Sequence, residues 1–223
     1  MVGGERVTGW FVEDFTLAEL RRLRAREPAP DERPGSAAYD GRFRVPTLDE
    51  VLALARAESR RRGRTIGVFP ETKHPAYFDS VGLSLERPLA AALRRHGLDG
   101  ADAPVVVQSL DPRSLRELDA RVDTRLARLV GEEAGPALAR PRRLARIASY
   151  ADGVAVAKDV LLARADDGRP IVDAAHALDL DVHVWTLLAE DGAVAREVRA
   201  LDEAGVDGIF TDHPDLVVEA LSD

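Results

Sequence analysis

From Thr65 onward the chain alternates short apolar segments with longer amphipathic ones, and this alternation constrains the fold more than any other feature. Segments 65–69, 104–108, Arg125–Val130, Gly153–Ala157, Asp181–Leu187 and 207–211 read as strands. Helical stretches lie between them. Asp111-Pro112 opens one that carries Leu115 and Leu118 on a single face, and Pro88 is a candidate first residue of another. Segments 171–178, 194–201 and 214–221 supply three more. Strand followed by helix, repeated, predicts a parallel sheet with helices outside it. No glycine-rich dinucleotide loop follows any strand. The pattern predicts an α/β fold, a TIM-type (β/α) barrel that is incomplete, with about six of the usual eight strands.

The chain is long enough for one such domain: 223 residues, 45% of them hydrophobic. Its formal net charge of −8 argues against a nucleic-acid partner, which requires a basic face. There is no cysteine, so disulfides and thiol chemistry are excluded. The stretch from Met1 to Trp10 has no apolar signal-peptide core, and no apolar run approaches the roughly 20 residues of a membrane span.

Residues 1–45 read as a lead-in, the tail of an insertion, and residues 46–223 as the partial barrel domain. Within the lead-in, Thr16 and Glu19 have capping-box spacing and start a helix predicted to run to about Pro28. Residues 28–44 are rich in Pro, Gly, Asp and Ser and read as a loop. Thr47 and Glu50 repeat the capping box before a second helix, which Gly63 ends. The basic run from Ser59 to Arg64 reads as a solvated helix end.

Chemistry concentrates at the end of the first strand, in Thr65-Ile-Gly-Val-Phe-Pro-Glu-Thr-Lys-His-Pro75. Arginine is used almost everywhere else, and Lys73 is one of only two lysines. Residues two apart on a strand share a face, so Glu71 and Lys73 project together. A carboxylate beside an ammonium suits a divalent cation next to a phosphate. Spacing alone favours the plainer reading, a strand-end ion pair worth little.

The histidines divide by position. His96 precedes Gly97 at a helix C-terminus, His176 reads as mid-helix, and His74 and His213 each precede a proline at a strand end. His183 alternates with Trp185 and reads as a hydrogen-bonded core histidine. Gln108, at another strand end, reads as a core hydrogen-bonding residue. Trp185 reads equally as core packing or as a substrate wall whose indole donor faces a polar barrel mouth.

Several of these motifs, in order, resemble the glycerophosphodiester phosphodiesterases. They are Phe43-Arg-Val-Pro-Thr-Leu-Asp-Glu-Val-Leu52, the run from Ile66 to Pro75, Val107-Gln-Ser109, Tyr150-Ala-Asp-Gly153, Val184-Trp-Thr186 and the stretch from Ala204 to Pro214. The opening from Thr8 to Leu20 is similar to the bacterial, often secreted or periplasmic, branch. The resemblance implies a TIM-type barrel that hydrolyses glycerophosphodiesters to an alcohol and glycerol 3-phosphate with a divalent cation, Ca²⁺ or Mg²⁺. It implies that Glu71 is a metal ligand, that Lys73 contacts the phosphate and that Trp185 stands beside the glycerol. With this resemblance the functional reading of Glu71 and Lys73 outweighs the plain ion pair.

The chain also departs from the family's pattern. The family opens with a His-Arg-Gly strand, then a Glu-x-Asp strand, then a second histidine, and this chain has none of them. The resemblance therefore implies that both catalytic histidines, two metal ligands and the first two barrel strands are absent, and it implies weak cation binding. Ala189-Glu-Asp191 is a smaller departure, since the branch usually has Asn in place of Asp191. Two readings follow: a diesterase whose N-terminal part is missing from the recorded sequence, or a non-catalytic remnant that serves as a phosphate-binding module. A barrel lacking two strands is expected to have open edges, and with them a tendency to aggregate or oligomerise.

Overall fold

In the computed structural model, residues 6–164, 168–188 and 193–222 are described. The Ala189-Glu-Asp191 segment lies outside them. The chain divides into two compact units, Met1–Ile66 and Gly67–Asp223.

In the first unit, α1 (Leu17–Leu20) is a single turn, shorter than the helix expected to reach Pro28. Its start is as predicted: Thr16 Oγ1 accepts from Glu19 N, and Thr16 N donates to the Glu19 carboxylate at 2.8 Å. Its early stop has a local cause. The Arg24 guanidinium donates to the carbonyls of Arg21, Arg22 and Leu23, which a continuing helix would have used itself. The proline-rich loop carries one helical turn, α2 (Pro34–Ala37). Helix α3 (Leu48–Arg62) has the expected Thr47–Glu50 capping box and ends at Gly63 in the left-handed conformation, φ 64°.

The second unit runs α4 (Pro75–Ser80), α5 (Glu86–His96), β1 (Val106–Ser109), α6 (Pro112–Asp119), β2 (Arg125–Val130), α7 (Pro141–Ala148), β3 (Gly153–Ala157), α8 (Asp159–Leu162), α9 (Arg169–His176), β4 (Asp181–Leu187), α10 (Val194–Ala204), β5 (Gly208–Thr211) and α11 (Pro214–Ala220). All five strands are parallel, in the order β1-β2-β3-β4-β5. A doubly wound sheet reverses its order at a switch point, and this one does not. The winding is that of a (β/α) barrel, here partial.

The first expected strand, 65–69, is not a regular strand. Its place is taken by segment 68–72, which runs parallel to β1 and is joined to it at two isolated bridges, Val68 with Val105 and Glu71 with Gln108. Both bridges have the same register. Val68 N donates to Pro104 O, Val106 N to Val68 O, Gln108 N to Pro70 O and Thr72 N to Gln108 O. The missing rung is the one Pro70 would donate, because proline has no N–H. A proline here removes one ladder bond and leaves the pairing intact on either side of it.

The two faces of this sheet differ. On the outer face, toward the helices, Val107, Val154, Val156, Val182 and Val184 are fully buried. Leu115 and Leu118 of α6, Ile171 and Val172 of α9, and Val198 and Leu201 of α10 are buried likewise. The inner face carries Ala127 in register with Gly153, and Ala155 in register with His183. Those small residues leave room for larger ones. The Phe69 ring lies 5.2 Å from His183 and 5.2 Å from Phe210, centroid to centroid. Six elements laid flat at about 4.8 Å spacing would put segment 68–72 about 24 Å from β5. Ring contact between Phe69 and Phe210 therefore requires the sheet to curl, as a barrel wall does.

Gly208 makes that contact possible. A Cβ at this position would stand 2.6 Å from His183 Cδ2. Gly208→Ala is expected to lower stability by about 1–3 kcal/mol, the usual range for overpacking. Urea denaturation measures it, and the cost should largely vanish in a His183→Ala background. Equal costs in both backgrounds would show that His183 is not the obstacle.

Candidate active site

The strands present their C-terminal ends to one cavity of about 260 Å³. Glu71, Lys73, Gln108, Leu129, Trp185 and Phe210 line it. All three site residues expected from the sequence, Glu71, Lys73 and Trp185, thus meet in one place. They come from segment 68–72, the residue that follows it, and β4.

Glu71 and Lys73 do project together, with Lys73 Nζ 3.2 Å from Glu71 Oε2. The Lys73 side chain is 73% exposed and that of Glu71 18%. The ammonium is therefore available to an incoming anion, while the carboxylate is held against the wall.

What holds them is Thr72, which lies between them and points the other way. It is 3% exposed. Its N–H donates to Gln108 O, its carbonyl accepts from Ser109 Oγ at 3.1 Å, and its hydroxyl pairs with Ser114 Oγ at 3.0 Å. The Ser114 hydroxyl in turn donates to Glu86, the first residue of α5, which is 1% exposed. Ser84 Oγ donates to the other Glu86 oxygen at 2.8 Å. This network fixes the rotation of the chain at Thr72, and with it the inward aim of both neighbours. Sequence reasoning missed Thr72, Ser114 and Glu86. Only the alternation of faces around Thr72 hinted at them, and their partners lie 28 to 42 residues apart.

Trp185 lines the cavity with its ring. Its indole N–H donates to Ala155 O at 3.0 Å, so the donor expected at a polar mouth is already used within the sheet. Gln108 departs from expectation, since its buried Oε1 has no hydrogen-bond partner among the described residues. Gln108 itself lines the cavity.

The histidines sort differently from the sequence reading. His176 is the last residue of α9, where Asp207 Oδ2 lies 2.9 Å from its Nε2. His96 ends α5 as expected, before Gly97 in the left-handed conformation. His74 and His213 are the N-cap residues of α4 and α11, and neither lines the cavity. His183 points into the curl of the sheet, as its contacts with Phe69 and Phe210 require. Its buried Nδ1 has no hydrogen-bond partner among the described residues, contrary to the hydrogen-bonded reading.

Burial lowers the His183 pKa below the ordinary 6.5, an effect that Arg125 reinforces and Asp181 and Asp207 oppose. A depressed histidine pKa means that the unfolded chain binds the proton first. Stability from this group is therefore complete above about pH 6.5 and is lost as pH falls from there through the lower folded value. The slope reaches at most about 1.4 kcal/mol per pH unit for one proton. His183→Gln is expected to flatten the stability profile between pH 7 and 5, as read by denaturant melts at each pH. A profile that keeps its full slope in the variant would assign the effect to another group.

A divalent cation requires six or more oxygen ligands in either magnesium or calcium geometry. The cavity offers one carboxylate, Glu71, already beside an ammonium. Among the described residues no group of three or more His, Cys, Asp or Glu could hold a metal ion. The described residues do not by themselves make the cation site that the resemblance implies.

Comparison with known proteins gives a consistent result. The family model described as "Glycerophosphoryl diester phosphodiesterase family" matches residues 1–216. The chain is 26% identical over 245 residues to glycerophosphodiester phosphodiesterase GDPD6 of Arabidopsis thaliana, with 95% of this chain aligned to 64% of that one. It is 30% identical over 213 residues to the Bacillus subtilis glycerophosphodiester phosphodiesterase, with 93% of this chain aligned to 64% of the other. The chain thus spans somewhat less than two thirds of the length of each of these relatives. A solved structure from Silicibacter pomeroyi that carries the family's name superposes with a TM-score of 0.74 at 24% identity, over 97% of this chain and 72% of that one.

Proposed function

Because the chain belongs to the glycerophosphoryl diester phosphodiesterase family, we propose that it acts in the hydrolysis of glycerophosphodiesters to an alcohol and glycerol 3-phosphate. The observation that carries this reading is the convergence of Glu71, Lys73 and Trp185 on one cavity at the strand ends. Lys73 meets the phosphate. Its exposed ammonium supplies up to three donors to phosphate oxygens. The Trp185 ring, with Phe210 and Leu129, gives an apolar wall against the glycerol carbons. The Gln108 side chain completes the wall between Glu71 and Leu129.

The family depends on a divalent cation. Glu71 would be one oxygen donor toward it. No imidazole lines the cavity among the described residues.

The test is release of choline from glycerophosphocholine by this polypeptide, in Ca²⁺ or Mg²⁺ and in chelator. Cation-dependent release establishes the hydrolytic reading. The alternative reading is a phosphate-binding module without turnover. Saturable glycerol 3-phosphate binding with no release would establish that one. Neither release nor binding would overturn both.

A further inference from the structure

We propose that this protein has a second ligand site, on the opposite face of β2, for a small compound bearing linked phosphates. A cavity of about 470 Å³ opens there between α6 and α7. Six guanidinium groups line it: Arg116, Arg128, Arg140, Arg142, Arg143 and Arg146. Among the described residues no carboxylate lines it, although the chain as a whole carries a net charge of −8.

None of the six forms an ion pair among the described residues. The ion pairs of this region are made by other arginines, such as Arg113 with Asp111 at 3.1 Å. Arg128, half-buried at the base of the cavity, donates instead to the carbonyls of Ser109 and Leu129. Arg116 stacks over the Tyr150 ring, 4.5 Å from its centroid. Tyr150 is itself buried and lines the cavity together with Arg128. Arg116 is thereby held by the Tyr150 ring, and Arg128 by backbone carbonyls.

Helix α7 places the others, and it does so against its own stability. Arg142 and Arg146 are four residues apart and Arg143 and Arg146 three apart, spacings at which like charges repel. Arg140 is the N-cap, and Arg142 and Arg143 fall in the first turn, with no acidic residue there. That is the positive end of the helix dipole, where cations are unfavourable and anions are stabilised. An anion in the cavity would relieve each of these costs together.

The chemistry selects the ligand. Guanidinium forks bind phosphate oxygens bidentately. Six of them exceed what one phosphate can engage, which points to a di- or triphosphate group. The volume falls in the range of small-molecule pockets. A membrane surface would meet the rim but not Arg128 at the base. Leu129, next to Arg128 on β2, faces the first cavity, so the two cavities stand on opposite sides of one strand.

The experiment is calorimetric titration of the full chain with tripolyphosphate at fixed ionic strength, with orthophosphate, an RNA oligomer and anionic vesicles as comparators. One saturable site per chain is expected, with orthophosphate at least tenfold weaker. Arg143→Gln/Arg146→Gln, two exposed residues, should weaken tripolyphosphate at least tenfold while ligand-free melting is kept. Should that pair alter melting, Arg116→Gln serves, with the same expected loss. Lys73→Ala should leave this binding unchanged, which separates the proposal from the glycerophosphodiester reading. No saturable binding, equal binding of orthophosphate, full affinity in both arginine variants, or binding of RNA or vesicles alone would overturn it.

Discussion

Lys73→Ala is expected to weaken glycerol 3-phosphate binding by roughly ten- to hundredfold, the equivalent of about 1.5–3 kcal/mol for one charge-assisted hydrogen bond. Lys73 is the cation placed to meet a phosphate in the strand-end cavity, since no other basic side chain lines it among the described residues. The neighbouring carboxylate makes a second, opposite prediction. Glu71 Oε2 lies 3.2 Å from the ammonium and offsets its charge. With divalent cations chelated, Glu71→Gln should therefore strengthen phosphate binding, by less than Lys73→Ala weakens it. Lys73→Arg keeps the charge but not the compact ammonium, and should fall between wild type and alanine. Titration calorimetry in chelator reads all three. An alanine variant that binds like wild type would remove Lys73 from the phosphate site, and a Glu71→Gln variant that binds more weakly would show that the carboxylate contacts the ligand itself.

The winding of the sheet was legible in the sequence because its five strands alternate with helical stretches along the chain. The sixth was placed too early, at 65–69. Apolar character picks out that run, but pairing is set by Val68 and Glu71, on either side of Pro70. The inward aim of Glu71 and Lys73 was also legible, because it depends only on strand geometry. What holds that aim was not, because Thr72, Ser114 and Glu86 are far apart in the chain and are joined only by folding. The first helix was over-extended for a similar reason. Nothing in its pattern says that Arg24 will take up three carbonyls of the preceding turn. The arginine cavity was hidden by composition. In a chain this rich in arginine, Arg116, Arg128 and the cluster on α7 look like ordinary surface charge until the fold brings them to one wall.

Ser114→Val is expected to cost several kcal/mol, because one substitution strands two buried groups. The Ser114 hydroxyl donates to Glu86 and pairs with Thr72 at 3.0 Å. Valine fills similar space and offers neither partner. A buried polar group left without a partner costs about 1–3 kcal/mol, and more when it carries charge. Among the described residues Glu86 then keeps only its side-chain bond from Ser84, and the Thr72 hydroxyl loses its side-chain partner. Thr72→Val breaks one link of the same chain and should cost less, because Ser114 still serves Glu86. A double-mutant cycle of the two then gives a coupling energy larger than that of separated sites. The network also sets where Lys73 points, so Thr72→Val should weaken glycerol 3-phosphate binding although Thr72 does not line the cavity. Urea melts and titration together decide it. A Ser114→Val protein within about 0.5 kcal/mol of wild type would mean that solvent satisfies Glu86, and unchanged ligand affinity in Thr72→Val would mean that Lys73 finds its direction without this anchor.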